Sequence, residues 1–237
     1  MVGLRNPLRY TSSMPIILFD IDGTLIRSGG AGKDAMEGAL RTAFGLTEIK
    51  DEVPYSGRTD IAIARDLLRV HGLEQTLANR TKLQEAYLAN LPLSLGARGG
   101  LVLPGVNELL AALKDREDAV LGLLTGNIRV GARVKLGHFG LWDYFTCGGF
   151  GDEHFDRDDV ARMALREVQT HVGREVDPAD VWVIGDTPLD VQCARAIGAK
   201  VVAVATGWHP VEELAACRPD RVFADLSDHR SVLGLWN

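Results

Sequence analysis

Asp20 and Asp22 stand two residues apart in Asp20-Ile21-Asp22-Gly23-Thr24, directly after the apolar run Ile16-Ile17-Leu18-Phe19. Alternate residues of an extended chain leave on the same side, so this spacing allows the two carboxylates to share one face. Side by side at the end of a dry strand they repel, and a divalent cation is the simplest way to keep both ionised. A second acidic group follows the apolar run Val181 to Ile184, in Gly185-Asp186-Thr187-Pro188-Leu189-Asp190. Asp186 is a natural third oxygen ligand for Mg²⁺, a hard cation that takes carboxylates, carbonyls and waters. Asp190 suits either metal contact or a helix start, with Thr187 as N-cap and Pro188 at the first helical position; the two roles are compatible. A third run, Ala119 to Leu124, ends in Thr125-Gly126-Asn127. That corner offers a hydroxyl, bare backbone and helix-start amides to a phosphate-sized anion, or else an N-cap at Asn127. Between Gly151 and Asp159 the fixed cation is Arg157. It is a surface charge among acids unless it turns inward toward a bound anion.

These residues need a scaffold that brings them together. Apolar runs at 16–20, 119–124, 144–147, 181–184, 201–204 and 222–223 alternate with helical patterns at 106–113, 129–139, 160–171 and 189–197. Strands alternating with helices imply an α/β fold, a doubly wound, Rossmann-like parallel sheet with right-handed crossovers. Parallel strands share direction, so Asp20, Thr125 and Asp186 fall on one sheet edge, where such folds bind ligands. From Ala31 to about Pro92 the texture is helical throughout. One face carries Ala35, Met36, Ala39 and Leu40, a second Ile61, Ala64, Leu67 and Leu68, and Leu77 to Leu91 suggests either a third helix alone or a third and a fourth. Glycine-rich stretches, Arg27 to Gly30 and Leu95 to Gly100, flank this block as hinges flank an inserted, mobile module. The division expected is residues 1–13 as an extension, 14–27 and 101–237 as the core, and 28–100 as a helical cap.

The 237 residues are 46% hydrophobic and 24% charged, with a net charge of −6. This balance, without a Lys/Arg run, leaves no footprint for nucleic acid. No stretch approaches the roughly 18 uninterrupted apolar residues of a membrane span. Residues 1–13 lack the apolar segment of a signal peptide. Cys147, Cys193 and Cys217 are unclustered and suit a reducing compartment, hence a cytoplasmic protein. The lysine in Gly29-Gly30-Ala31-Gly32-Lys33-Asp34 lacks the spacing of a P-loop, and the six histidines form no zinc motif. Trp142, Trp182, Trp208 and Trp236 are expected to pack the flanks or edges of the sheet.

Four motifs in order resemble those of the haloacid dehalogenase-like hydrolases, and in particular their phosphoglycolate phosphatase-like branch. DxDGT stands as Asp20 to Thr24, the strand-ending Ser/Thr as Thr125, the basic third motif as Arg157 where lysine is usual, and GDxxxD as Gly185 to Asp190. The helical block after the first motif resembles the family's cap. The resemblance implies that Asp20 is the nucleophile and forms an aspartyl-phosphate, with Asp22 as general acid and base. It implies Mg²⁺ on the Asp20 carboxylate, the Asp22 carbonyl and Asp186, and a phosphoryl group held by Thr125, Gly126, Asn127 and Arg157. Gly57-Arg58-Thr59-Asp60 is similar to a turn of related caps that faces the active site. Arg58 there either helps select substrate or belongs to a helix start capped by Thr59.

The activity so implied is a Mg²⁺-dependent phosphatase acting on a small phosphorylated metabolite, phosphoglycolate-like or a sugar phosphate. The protein is expected to be a monomer or weak homodimer. A phosphosugar mutase of the same superfamily is the alternative. A haloacid dehalogenase is disfavoured, because those enzymes typically lack an Asp where Asp22 stands.

Overall fold

A computed structural model describes residues 14–116 and 118–236; the extension expected at 1–13 lies outside them. The strands are β1 (Ile16–Phe19), β2 (Ile26–Arg27), β3 (Leu101–Val102), β4 (Val120–Leu124), β5 (Cys147–Gly149), β6 (Val181–Gly185), β7 (Lys200–Val204) and β8 (Arg221–Phe223). The helices are α1 (Ala31–Phe44), α2 (Asp60–Val70), α3 (Leu77–Arg98), α4 (Val106–Lys114), α5 (Arg129–His138), α6 (Arg157–Val172), α7 (Pro188–Ala196), α8 (Val211–Ala216) and α9 (His229–Leu233). Six strands form one parallel sheet in the order β5-β4-β1-β6-β7-β8. This is the doubly wound α/β architecture expected from the alternation of strands and helices.

β1 sits in the middle because every one of its residues is apolar and buried. Ile17 and Phe19 point into the layer covered by α4, α5 and α9, with Leu109, Leu110, Leu136 and Val232. Ile16 and Leu18 point into the opposite layer, with Val160, Ala164 and Val168 of α6, Val191 and Ala194 of α7, and Leu214 of α8. Burial on both faces is what a central parallel strand requires. Phe19 pairs with Leu123 on one side and Ile184 on the other. That register brings Asp20, Thr125 and Asp186 out within two residues of one line.

The chain leaves and re-enters this core through β2 and β3, which run side by side as an antiparallel ribbon pairing Ile26 with Val102 and Arg27 with Leu101. Between them α1, α2 and α3 pack around their own apolar centre, including Leu40, Leu67, Leu68, Leu83 and Leu91. One continuous α3 covers the stretch where the pattern left one helix or two open, and it runs through Gly96 to Arg98 rather than yielding at Leu95. Its last turn is held to α1 by Ser94 and Arg98, both hydrogen-bonded to Asp34, and by burial of Leu91 and Leu95. The glycine segment between α3 and β3 is therefore shorter than expected, at Gly99-Gly100.

The strand expected at 144–147 lies later, at β5. Trp142–Tyr144 forms a 3₁₀ turn instead. A β-carbon on Gly149 would sit 2.5 Å from the Val160 carbonyl oxygen, so close packing of α6 on this strand demands glycine despite its poor strand propensity. Trp182 and Trp236 meet edge-to-face at 6.3 Å beside the core, and Trp142 packs against it as expected. Trp208 does not: it is 89% exposed.

Candidate active site

Asp20 follows β1 directly, and its amide donates to the Ile184 carbonyl, so the backbone there is still fixed by the sheet. Its side chain is buried, with Arg157 Nη1 3.2 Å from Oδ1. Arg157 is the first residue of α6 and is itself buried. Its Nη2 donates to Asp190 and to the Leu124 carbonyl, while Nε has no partner. Arg157 thus turns inward and bridges two acids. Asp190 in turn completes a capping box on α7: Oδ2 accepts from the Thr187 amide and hydroxyl, at 3.0 and 2.7 Å. Both oxygens of Asp190 are therefore occupied by protein donors. Asp186 is buried beside this group and accepts from the Thr24 hydroxyl at 3.1 Å.

Asp22 faces a different cation. Lys135 Nζ, on α5, lies 2.5 Å from Oδ2, and Asn127 Nδ2 lies 3.0 Å from the same oxygen. Ser28 Oγ reaches Oδ1 at 3.3 Å. Asn127 links three side chains, because its Nδ2 also donates to Thr125 Oγ1 and its Oδ1 accepts from Lys135 at 2.6 Å. Asn127 is accordingly not the N-cap of α5. Ile128 occupies that position, and its amide donates to Asp60 Oδ2 at 2.9 Å, a carboxylate supplied by the helical insertion.

Burial is the main force on these acids. It pushes Asp20 up to about 7, against the pull of Arg157 and with help from Asp190 and Asp22. Asp186 is driven well above the carboxylate range by burial and by Asp190 and Asp20. Asp60 rises to about 6 through burial, partly offset by Lys135 and the Ile128 amide. Burial also works against the charge of Asp22. There the Lys135 ammonium and hydrogen bonds from Lys135, Asn127 and Ser28 outweigh it, and Asp22 is held below the usual range.

A cavity of about 830 Å³ opens above this edge, between the core and the helical insertion. Asp20, Asp22, Gly126, Asn127, Arg157, Asp186 and Arg58 all line it. Thr125 and Asp190 are fully buried behind the wall. The turn Gly57 to Asp60 lies directly on the Thr125-Gly126-Asn127 corner. The Asp60 amide donates to the Gly126 carbonyl, and a β-carbon on Gly126 would come within 2.1 Å of the Arg58 carbonyl oxygen. Thr59 caps α2 through the Ala62 amide. The Arg58 guanidinium is engaged by Asp66 at 2.6 Å and by the Pro54 carbonyl at 3.0 Å.

Lys135 and Ser28 are the site residues that the motifs did not reveal, and the Gly57 to Asp60 turn pointed to the site without giving Asp60 a role. Lys135 carried a readable signal. It shares the buried face of α5 with Gly131, Ala132 and Leu136, an apolar stripe where a lysine must have a partner. Ser28 carried none beyond polarity.

The donor set fits a hard divalent cation. Carboxylate oxygens of Asp20, Asp186 and Asp190 lie within 4.8 Å of one another. With Asp190 already committed, Asp20 and Asp186 are two buried acids whose ionisation is suppressed first by burial, at Asp20 in spite of Arg157. Oxygen donors of this kind suit Mg²⁺ better than a soft metal.

Buried acids and a buried arginine gather at the carboxyl edge of a parallel sheet of the doubly wound α/β class. The family model described as haloacid dehalogenase-like hydrolase matches residues 17–195, and the chain belongs to that family. The phosphoglycolate phosphatase of Synechococcus elongatus is 31% identical over 215 residues, covering 91% of this chain and 95% of that protein. The phosphoglycolate phosphatase of Rhodospirillum rubrum is 32% identical over 224 residues, covering 90% and 89%. CbbY from Rhodobacter sphaeroides, solved in complex with phosphate, has a TM-score of 0.73 at 19% identity, covers 91% of this chain with 96% of its own, and bears on the fold alone. The chain lies in the phosphoglycolate phosphatase-like branch, and its class is that of a phosphoric monoester hydrolase.

Proposed function

We propose that this protein is a Mg²⁺-dependent phosphatase that hydrolyses a small phosphate monoester through an aspartyl-phosphate on Asp20. The observation that carries the reading is the buried Asp20 carboxylate, paired with Arg157 beside Asp186 and open to the cavity. A carboxylate fixed this way attacks phosphorus in line, and the leaving alcohol departs toward Asp22. The Asp20 carboxylate, the Asp22 carbonyl and Asp186 would hold Mg²⁺, which would supply the charge compensation between nucleophile and phosphoryl oxygens. Arg157, with an unpartnered Nε, and the Thr125-Gly126-Asn127 corner hold the transferred group.

Asp22 works in two protonation states. Before substrate binds, Lys135 keeps it ionised. The arriving phosphoryl charge raises its proton affinity, so it takes up the proton that a monoanionic ester or solvent water carries in and passes it to the leaving oxygen. It then takes a proton from the water that opens the aspartyl-phosphate. The insertion formed by α1 to α3 acts as a cap hinged at the β2–β3 ribbon, and residues 14–27 and 101–237 form the catalytic core. Arg58 shapes the cap side of the substrate site through its tie to Asp66. The enzyme works in the cytoplasm, as a monomer or weak homodimer, on a soluble metabolite. Three free cysteines support that reading, and no described helix is long and apolar enough to cross a membrane.

Phosphate release from a panel of monoesters, measured with Mg²⁺ and with EDTA, tests this. Release that requires Mg²⁺ and is abolished in Asp20→Asn supports the reading. Equal release in EDTA, or in Asp20→Asn, refutes it.

A further inference from the structure

Arg27 differs from the other cations that line the cavity, which are Lys33, Arg58, Lys135 and Arg157. Those four already face acids. Lys33 pairs with Asp51 at 2.6 Å, Arg58 with Asp66 at 2.6 Å, Lys135 with Asp22 at 2.5 Å, and Arg157 with Asp20 at 3.2 Å. Among the described residues Arg27 has no carboxylate partner, and its one side-chain hydrogen bond runs from Nη2 to the Thr206 carbonyl at 3.0 Å. Asp22, the nearest acid in the chain, does not serve it, since Lys135, Asn127 and Ser28 occupy both of its oxygens. The charge of Arg27 is therefore unpaired in a wall that an anion can reach.

Its position is fixed from both ends. The backbone of Arg27 pairs with Leu101 in the β2–β3 ribbon. The guanidinium is tied to the loop after β7, and that loop is anchored on the acidic edge of the sheet. Thr206 Oγ1 donates to the Gly23 carbonyl at 2.5 Å, and a β-carbon on Gly207 would come within 1.7 Å of Asp186 Oδ2. The next residue in the chain, Ser28, donates to Asp22 Oδ1 at 3.3 Å. Arg27 thus stands in the wall next to the acid toward which the leaving alcohol departs.

Resting on the phosphatase reading, we infer that Arg27 is a specificity-determining residue, and that the leaving alcohol carries a second anionic group for it to bind. A guanidinium with one nitrogen engaged keeps its other N–H groups for a carboxylate or phosphate, which its planar fork can grip through two bonds. Anion-bearing alcohols are thereby selected over neutral sugars that the cavity of about 830 Å³ would also admit. Arg27 is exposed until a substrate covers it. Its worth is about tenfold in kcat/KM, between the few-fold of an exposed pair and the ~10²-fold of a charged hydrogen bond closed off from water.

The test uses the Mg²⁺-loaded full chain and pairs of esters that differ in the second anion. 2-Phosphoglycolate and 3-phosphooxypropanoate are each compared with the corresponding amide, and propane-1,3-diol bisphosphate with the monophosphate. The first two pairs read a carboxylate, the third a phosphate. In at least one pair the anionic ester is expected to have the higher kcat/KM by about tenfold. Arg27→Gln is expected to bring that ratio below about threefold, and Arg27→Lys, which keeps the charge without the fork, to hold it in between. Each ratio cancels any general loss of activity, so a merely structural role for the bond from Arg27 to Thr206 would leave it unchanged. Ratios near one in the wild type, or a preference that Arg27→Gln leaves intact, overturn this inference, while hydrolysis of the amides and the monophosphate still upholds the phosphatase reading. No phosphate release from any of these esters or from the panel of monoesters, by folded, Mg²⁺-loaded protein, overturns both.

Discussion

Lys135 Nζ lies 2.5 Å from Asp22 Oδ2, in a pair formed between α5 and the loop after β1, while Asp20 two residues earlier is served by Arg157 from α6. The two acids of the first motif therefore have separate cations. Lys135 and its neighbours outweigh burial and hold the proton affinity of Asp22 low, whereas burial raises that of Asp20 against the pull of Arg157, although the two are near neighbours in the chain.

Replacing Lys135 removes the charge that holds Asp22 and leaves Asn127 Oδ1 without its donor. Lys135→Met is expected to lower kcat by roughly 10²-fold, the low end of what general acid–base groups contribute. It should cost about 1–2 kcal/mol in urea denaturation, less than a fully buried pair because the Asp22 side chain is 38% exposed. Lys135→Arg should recover stability more than turnover, since the bulkier planar head cannot reproduce a single short contact. Wild-type kcat in Lys135→Met would show that Asp22 is positioned without it.

Arg157→Met strips the partner from two buried acids, Asp20 and Asp190. Breaking such a pair from one side costs about 3–5 kcal/mol, more than the loss of an exposed bridge. Denaturation in EDTA should show it, and Mg²⁺ should return part of the loss. A change below about 1 kcal/mol, the range of a surface pair, would contradict the buried bridge.

Asp60 gives a pH-dependent signature at the seam between core and insertion. Its folded pKa, raised to about 6 from 3.8 mainly by burial, means that the native state holds the proton more tightly than the unfolded chain. Between those values the native state binds more protons, so this group lowers stability as pH rises from about 4 through 6. Measured without metal, the wild type should therefore lose stability relative to Asp60→Asn as pH rises from about 4 to above 6. A difference that stays constant, or runs the other way, would exclude the raised pKa.

Mg²⁺ should stabilise the fold through Asp20 and Asp186, whose charges are suppressed by burial. At a concentration about 100 times Kd, linkage predicts about 2.7 kcal/mol. Asp186→Asn should lose most of that gain while leaving the Asp190 capping box in place. An equal rise in melting temperature in both proteins would place the ion elsewhere.

How far the sequence discloses this architecture depends on the kind of signal. β1 is legible because all four residues are apolar and it is buried on both faces, and β6 is nearly so. Asp186 and Asp20 follow those strands immediately, so their shared edge comes with the sheet. β5 escapes such a reading because packing against β4 and α6 selects Gly148 and Gly149, which carry no strand propensity. The length of α3 depends on contacts to Asp34 on α1, about sixty residues away. Lys135 is detectable as a lysine on an apolar helical stripe. Asp60 stands in the Gly57 to Asp60 turn that the resemblance aims at the site, but the role of its carboxylate shows only where the insertion meets the Ile128 amide.

The most direct test traps the covalent step. Wild-type enzyme is mixed with a hydrolysed ester and Mg²⁺, quenched during turnover, and reduced with borohydride, which converts an aspartyl-phosphate to homoserine. Peptide mass spectrometry then reads position 20. Homoserine at residue 20, dependent on substrate and absent from Asp20→Asn, is the predicted result. Unmodified Asp20 in enzyme that is releasing phosphate and has been quenched across the full course of a turnover would contradict it.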